Sequence, residues 1–241
     1  MDYIDFFTIP IYTALILSLG YYIRPLVTNQ QTKKFFIPAL SIKIFGAISL
    51  GLIYTLYYRG GDTINYYNDA QTLFNGILSS PLAGIKVFLR ITDFSDYNFY
   101  KIRSALWYYK DPSSYVVVQT ITILSFLCFK SYGAIAILFA AISFSGLWML
   151  FYTFCFIRNE LYKKFAIGVL FVPSVVFWGS GIMKDSICIA ALGWLFYGCY
   201  RIIYGASNKA LSILIVALSG FVLLKIKIYI LICFLPVALY W

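Results

Sequence analysis

Histidine is absent from all 241 residues, and glutamate occurs once, as Glu160. Without an imidazole there is no Ser-His-Asp or Cys-His triad, no histidine metal ligand and no histidine proton relay. Any general acid, base or carboxylate ligand must come from a short set of aspartates. Charge of either sign is scarce, at 12% of the chain against about 25% in an ordinary soluble domain. Hydrophobic residues make up 62%, and the mean hydropathy is +0.84. Together these figures exclude a soluble globular domain, a disordered chain and a coiled coil.

Other absences narrow the chemistry further. No basic run exceeds two residues, so the net charge of +10 does not point to a nucleic-acid partner. It reads instead as basic loops beside anionic lipid headgroups. The five cysteines, Cys128, Cys155, Cys188, Cys199 and Cys233, all lie in apolar runs and form no CxxC, which argues against a zinc site or a disulfide framework. There is neither a Walker A sequence nor a GxGxxG, and so no nucleotide site of those kinds. The start, Met1-Asp2-Tyr3-Ile4-Asp5, is acidic, unlike a cleavable signal peptide; the first apolar run reads as a retained helix.

Long apolar runs are what the sequence has in quantity. They cover about 8–23, 35–57, 115–129, 132–157, 165–178, 186–204, 210–224 and 228–241. Barrel strands would alternate apolar and polar residues over about ten positions, and these runs do not. The expected fold is all-α: a polytopic integral membrane helical bundle, one transmembrane domain over 1–241, with about seven crossings. The run 115–129 is short for a crossing and reads as a short or re-entrant helix. If it does not cross, the basic loops 24–34, 158–164 and 201–209 all fall on the cytoplasmic side, as positive charge favours.

Residues 58–113 are different. They hold five of the nine acids, Asp62, Asp69, Asp93, Asp96 and Asp111, and are rich in Tyr, Asn and Trp. This segment reads as an extracytoplasmic loop carrying amphipathic interfacial helices at about 63–78 and 81–91. The last apolar run reaches Trp241 without a polar tail, which leads to the expectation of a further C-terminal part or a protein partner.

Three segments could carry chemistry. The first is Arg59-Gly60-Gly61-Asp62, leading to Tyr66 and Asp69. Asp62 either caps the following helix or acts as a base or a divalent-cation ligand, with Asp69 a second candidate ligand and Arg59 a phosphate holder. The second is Pro173-Ser174 through Trp178-Gly179-Ser180-Gly181 to Lys184-Asp185. It is either a surface hairpin or a turn set below the membrane surface, where ionisable groups are functional candidates. The third is Lys225-Ile226-Lys227-Ile228-Tyr229, either a plain connection between spans or a phosphate clamp beside Lys184. Trp107, Tyr108 and Tyr109 could stack on sugar rings, although aromatics at a membrane interface need no such role.

In order, the segments R-G-G-D-x-x-x-Y-Y, P-S-x-x-F-W-G-S-G-x-x-K-D and K-I-K-I-Y resemble those of multi-spanning bacterial polysaccharide-synthesis proteins. These are the lipid-linked-sugar glycosyltransferases of the GT-C type and the polymerases of the EpsG and Wzy type. The resemblance spans roughly residues 50–240. It implies a bacterial inner-membrane protein that transfers or polymerises sugars from a polyprenyl-phosphate-linked donor on the extracytoplasmic face. Asp62 would take the catalytic acidic position, while Arg59, Tyr66, Lys184, Asp185, Lys225 and Lys227 would contact substrate. Membrane lipid and the lipid-linked sugar are the implied partners, with a divalent cation as an optional cofactor. The rival reading is a non-catalytic transporter, flippase or assembly subunit, for which Lys43 and the 173–185 break are the hints.

Overall fold

The computed structural model describes residues 3–93, 96–205 and 208–240. Asp2 of the acidic start, residues 206–207 of the basic 201–209 loop and Trp241 lie outside the described residues. Among the described residues every regular element is helical. The helices are α1 (Tyr3–Val27), α2 (Lys33–Leu52, continued by a π-helical stretch Ile53–Tyr58), α3 (Asp62–Ser79), α4 (Pro81–Phe88), α5 (Tyr97–Ser104), α6 (Pro112–Leu127), α7 (Tyr132–Ile157), α8 (Tyr162–Phe165), α9 (Pro173–Trp178), α10 (Lys184–Ile203), α11 (Lys209–Ile226) and α12 (Ile228–Tyr240).

Five of them are long and apolar enough to cross a membrane: Tyr3–Val27, Lys33–Tyr58, Tyr132–Ile157, Lys184–Ile203 and Lys209–Ile226. Sequence hydropathy suggested about seven crossings; the two further runs it counted are not single long helices. The apolar run 165–178 is not one helix. It passes through α8 and a π-helical stretch, Ala166–Leu170, and restarts at Pro173 as the six-residue α9. Proline at the first helical turn starts α9 well but cannot continue the preceding ladder. The run 228–241 appears as α12, 13 residues long.

Central helix α7 is buried over most of its length and packs against α1, α2 and α10. Its contact with α10 is unusually close: a Cβ placed on Gly193 would overlap the carbonyl of Gly146, and one on Gly146 the carbonyl of Ala190. Apolar helices in lipid gain nothing hydrophobic from pairing, so small residues that let backbones approach are the means of association. The outer faces stay apolar, with Phe6, Phe7, Ile11, Leu15 and Leu19 exposed on α1 and Leu214, Leu218 and Phe221 on α11.

Helix ends are fixed by their side chains. Asp111 caps α6, accepting from the Ser113 amide at 3.0 Å, with Pro112 in its first turn. Ser131 caps α7 through the Ala134 amide at 3.1 Å, and Asp5 of α1 adds an acceptor for the Gly133 amide at 2.9 Å. These contacts bring the start of α7 and the N-terminal turn of α1 to one end of the bundle. The basic loops 24–34 and 158–164 meet at the other end, where α10 also finishes. The Lys34 ammonium lies 5.3 Å from the Tyr162 ring centre, and Tyr200 stacks on Phe156. Both ends of α6 are at the α7-start end, since Asp111 reaches Lys184 and the Leu127 carbonyl accepts from Tyr12. Thus α6 is the short helix that does not pass through the bundle.

The 58–113 segment forms α3, α4 and α5, and its helices agree with the expected 63–78 and 81–91 to within three residues at each end. Their inner faces pack on α6 instead of standing alone. Tyr66, Ala70, Leu73, Val87, Phe99 and Ile102 are buried with Tyr115, Val118 and Ile121. A segment this short can hardly bury a core of its own, and α6 supplies the missing apolar surface. On the outside, Leu78 at the end of α3 is exposed, as are Leu82, Ile85 and Leu89 at helical spacing along α4 and its C-cap.

The break between α9 and α10 sits deep in the bundle. The Gly179 carbonyl accepts from Ser143, at the middle of α7, at 2.6 Å. Non-helical backbone at such depth is tolerated only where its polar groups are satisfied by protein. Here the wholly buried Lys43 ammonium donates to the carbonyls of Gly179 and Val175, and Ser186 donates to the Gly181 carbonyl at 2.6 Å. Lys43 therefore serves as a cap for α9, provided from α2.

Candidate functional site

Four segments that are distant in sequence converge at the α7-start end. After the π-helical end of α2 the chain turns at Arg59, in the left-handed region at φ 52°, and at Gly61, φ 109°. The latter value costs any other residue strain and is open to glycine. Gly61 is the cap position of α3, so Asp62 is the first residue inside the helix and does not cap it. Its carboxylate accepts from the Tyr108 hydroxyl at 3.2 Å. The Tyr108 ring lies 4.6 Å from that of Tyr66, which is buried, and the Tyr66 hydroxyl meets Ser114 and feels the charges of Asp62, Asp111 and Asp185.

Beside this aromatic pair lie two ion pairs. Lys184, the first residue of α10, donates to Ser113 at 2.7 Å and pairs with Asp111 at 3.3 Å. Lys227, in the turn between α11 and α12, pairs with Asp185. Two lysines against two aspartates leave these four side chains net neutral, but an ammonium has three hydrogens. Lys184 donates two of its own and Lys227 one to these partners. Hydrogens therefore remain for an anion, beside the N-terminus of a 20-residue helix that no side chain caps; its dipole favours negative charge there.

Environment separates the carboxylates. Burial pushes Asp111 up, but the hydroxyls of Ser114 and Ser113, the Ser113 amide and the Lys184 charge outweigh it and hold the carboxyl well below the ordinary range. Burial raises Asp69, opposed by the Tyr108 and Trp107 amides that it accepts at 2.7 and 3.1 Å. Tyr108 is pushed up to about 12, by burial first and then by the Asp62 charge, so it is a neutral donor at physiological pH. Lys227 loses some basicity to burial and gains more from Asp185, for a net rise. With Asp111 and Asp185 held by lysines and Asp69 by backbone, Asp62 is the cluster's exposed carboxylate.

A depressed carboxyl stabilises the fold above its unfolded value and loses that contribution as pH falls through the folded value. For Asp111 the sign is therefore fixed. The gap in thermal stability between wild type and Asp111→Asn should stay constant from neutral pH to about 4 and close only below that. Melting curves of the detergent-solubilised proteins at stepped pH check this; a gap that closes already at pH 6 would mean the carboxyl is not held down.

The structure thus brings together Asp62, Tyr66, Lys184, Asp185 and Lys227. It does not bring in Arg59, which is exposed at its turn, or Lys225, which is exposed with its ammonium 5.5 Å from the Phe221 ring centre. A cation shared by Asp62 and Asp69 does not fit either. They lie two turns apart on α3, about 10 Å along the axis, and Asp69 is buried with both oxygens on amides. Among the described residues no three carboxylate or sulfur side chains are grouped to hold a metal. Sequence reading missed Asp111, Ser113 and Ser114, and named Tyr108 only as a ring that could stack on sugars, not as the partner of Asp62. The Asp111-Pro112-Ser113 start of a helix was visible as a capping signal, but nothing local announced Lys184 as its partner.

Comparison with protein-family models, with curated proteins and with solved structures finds no match to this chain. The functional reading rests on the residues alone.

Proposed function

We propose that the protein is a bacterial inner-membrane glycosyltransferase or polysaccharide polymerase, acting on a polyprenyl-phosphate-linked sugar at the extracytoplasmic face. The observation that carries the reading is the convergence of an accessible carboxylate, Asp62, with two lysines that retain free ammonium hydrogens. Sugar transfer from such a donor needs a base for the attacking hydroxyl and positive charge for the departing phosphate. Asp62 takes the proton of the acceptor hydroxyl as the anomeric bond to phosphate breaks. Lys184, Lys227 and the α10 N-terminus receive the charge that develops on the leaving phosphate. Tyr108 orients Asp62 and offers its part-exposed ring to the sugar, while the buried Tyr66 backs the Tyr108 ring. No step is assigned to a metal ion, since the carboxylates among the described residues do not form a set of three that would hold one.

In this reading the five long apolar helices cross, and the broken segment between α7 and α10 crosses back, since α7 and α10 run parallel with Phe154 beside Phe196 and Phe156 beside Tyr200. The ends at 24–34, 158–164 and 201–209 are cytoplasmic because they hold the Lys and Arg excess. The exposed Leu82, Ile85 and Leu89 set α4 in the headgroup layer. A cysteine at position 162 should resist labelling by an impermeant maleimide in intact cells and react after permeabilisation. Labelling of intact cells would invert the orientation and put the cluster on the wrong side for a translocated donor.

The transporter, flippase or assembly-subunit alternative has one observation in its favour, the broken helix beside buried Lys43. That ammonium is held by backbone carbonyls, which is the work of a cap and not of a translocation site. A strain lacking the protein distinguishes the readings. Loss of transfer leaves lipid-linked sugar accumulated on the outer leaflet, loss of a flippase accumulates it on the inner leaflet, and unchanged glycan and lipid pools reject both.

A further inference from the structure

Two cavities lie between α1 and α11, over the crossing of α7 and α10. The first, about 330 Å³, has Ile16, Leu19 and Ile23 of α1 on one side and Phe144 and Trp148 of α7 on another. The second, about 580 Å³, has Tyr197 and Arg201 of α10 facing Leu211, Ile215 and Leu218 of α11. Val27, Met149 and Trp194 border both, so the two make one groove. Along α1 it extends from Ile16 to Val27, about 16 Å at the helical rise per residue. The hydrocarbon core of a bilayer is about 30 Å thick, so the groove is as deep as one leaflet. It opens at the end of the bundle away from Asp62, where α1 and α10 finish.

The lining is chiefly apolar until that end. The Trp148 indole N–H is taken by the Val27 carbonyl at 3.0 Å and the Trp194 indole N–H by the Ser145 hydroxyl at 3.1 Å. Arg201, part-exposed in the last turn of α10, stands at the mouth. Its guanidinium donates to the Tyr197 hydroxyl over a long 3.4 Å and lies 5.6 Å from that ring's centre. A guanidinium carries more donors than that one bond uses, and among the described residues Arg201 is in no salt bridge. The segments at this end, 24–34, 158–164 and 201–209, hold Glu160 as their one acid. The C-terminal dipole of α10 disfavours an anion here, but α11 begins at the same end with Lys209, and its N-terminus offsets that effect.

We infer that this groove holds an anionic diacyl phospholipid of the adjoining leaflet, its phosphate on Arg201 and an acyl chain laid over Met149 toward Ile16. An apolar trough with a cation at its mouth, between membrane helices, matches an amphiphile with a negative head. A free phosphate would leave the apolar length uncovered. A polyprenyl phosphate, many isoprene units long, would overrun a groove one leaflet deep. The site is at the opposite end from Asp62, and the inference does not rest on the transfer reading.

Native mass spectrometry of the full-length protein in detergent, titrated with single lipids, tests this. Palmitoyl-oleoyl phosphatidylglycerol should bind at least about tenfold more tightly than phosphatidylcholine with the same chains. Dihexanoyl phosphatidylglycerol keeps the headgroup but covers little of the groove, and should bind at least about tenfold more weakly. Arg201→Gln should bring the two long-chain lipids to within about twofold of each other. Leu218→Trp, at an exposed position, keeps the charge but narrows the groove and should weaken both. Phosphatidylglycerol should raise the melting temperature of wild type, and melting curves without lipid show that the variants fold. Equal binding of the two headgroups to wild type, or a preference unchanged in folded Arg201→Gln, overturns the proposal. So does binding unchanged by Leu218→Trp or by shortening the chains. Undecaprenyl phosphate binding more tightly than phosphatidylglycerol, and losing that affinity in Arg201→Gln, would also overturn it.

Discussion

Replacing Asp62 with asparagine is expected to lower glycan product about 10²- to 10⁴-fold, the usual cost of losing an acid–base group, with wild-type abundance in the membrane. The substitution is informative because so little else changes. Gly61, not Asp62, holds the cap position of α3. The amide oxygen of asparagine can still accept from Tyr108, whose bond to Asp62 is 3.2 Å long. The lost helix-dipole interaction at the first turn is worth only about 0.3–1 kcal/mol. What disappears is the negative charge that takes a proton. Normal glycan from a well-expressed variant would reject Asp62 as the base, and with it the transferase reading, since Asp111, Asp185 and Asp69 are already held by other groups.

The largest structural effect is expected at the crossing of α7 and α10. Gly193→Ala should destabilise the fold by about 1–3 kcal/mol, and Gly193→Val should largely abolish folded protein. The obstacle a Cβ meets at Gly193 is the backbone of Gly146, not the flexible end of a side chain, so the helices must separate to admit it. Separation would also carry Lys184 and Asp185, which start α10, away from Asp111 and Lys227. Melting temperatures in detergent and membrane abundance measure the effect. A Gly193→Ala variant as stable as wild type would mean that the helices do not approach this closely.

How far the sequence could be read depended on whether the cause was local. The helical class and the long apolar helices followed from composition, because a run of apolar residues longer than the membrane is thick has few other solutions. What hydropathy could not show at 165–178 was the backbone. The run is apolar throughout, yet its helix widens into a π turn and breaks before Pro173. Lys43 was visible as an oddity in an apolar run, but the carbonyls that hold it lie in α9 and its following turn, which no local pattern could indicate. Lys225 and Lys227 looked like a pair. Residues two apart at a helix end point in different directions, so one reaches Asp185 and the other faces outward. Lys184, Asp185 and Lys227 stood out as charges between apolar runs, and Asp62 followed a Gly-Gly turn, whereas Asp111 stood only among the acids of 58–113; it caps α6. Its second role with Lys184 exists only in three dimensions.

The central claim is most directly tested with purified protein in nanodiscs, supplied with a panel of synthetic polyprenyl-diphosphate-linked sugars and an oligosaccharide acceptor, by measuring release of the lipid phosphate. The account predicts that wild type releases it from at least one donor with matching growth of the acceptor, that Lys184→Met does so only at raised donor concentration, and that Asp62→Asn does not release it. Equal release by wild type and Asp62→Asn would contradict the account.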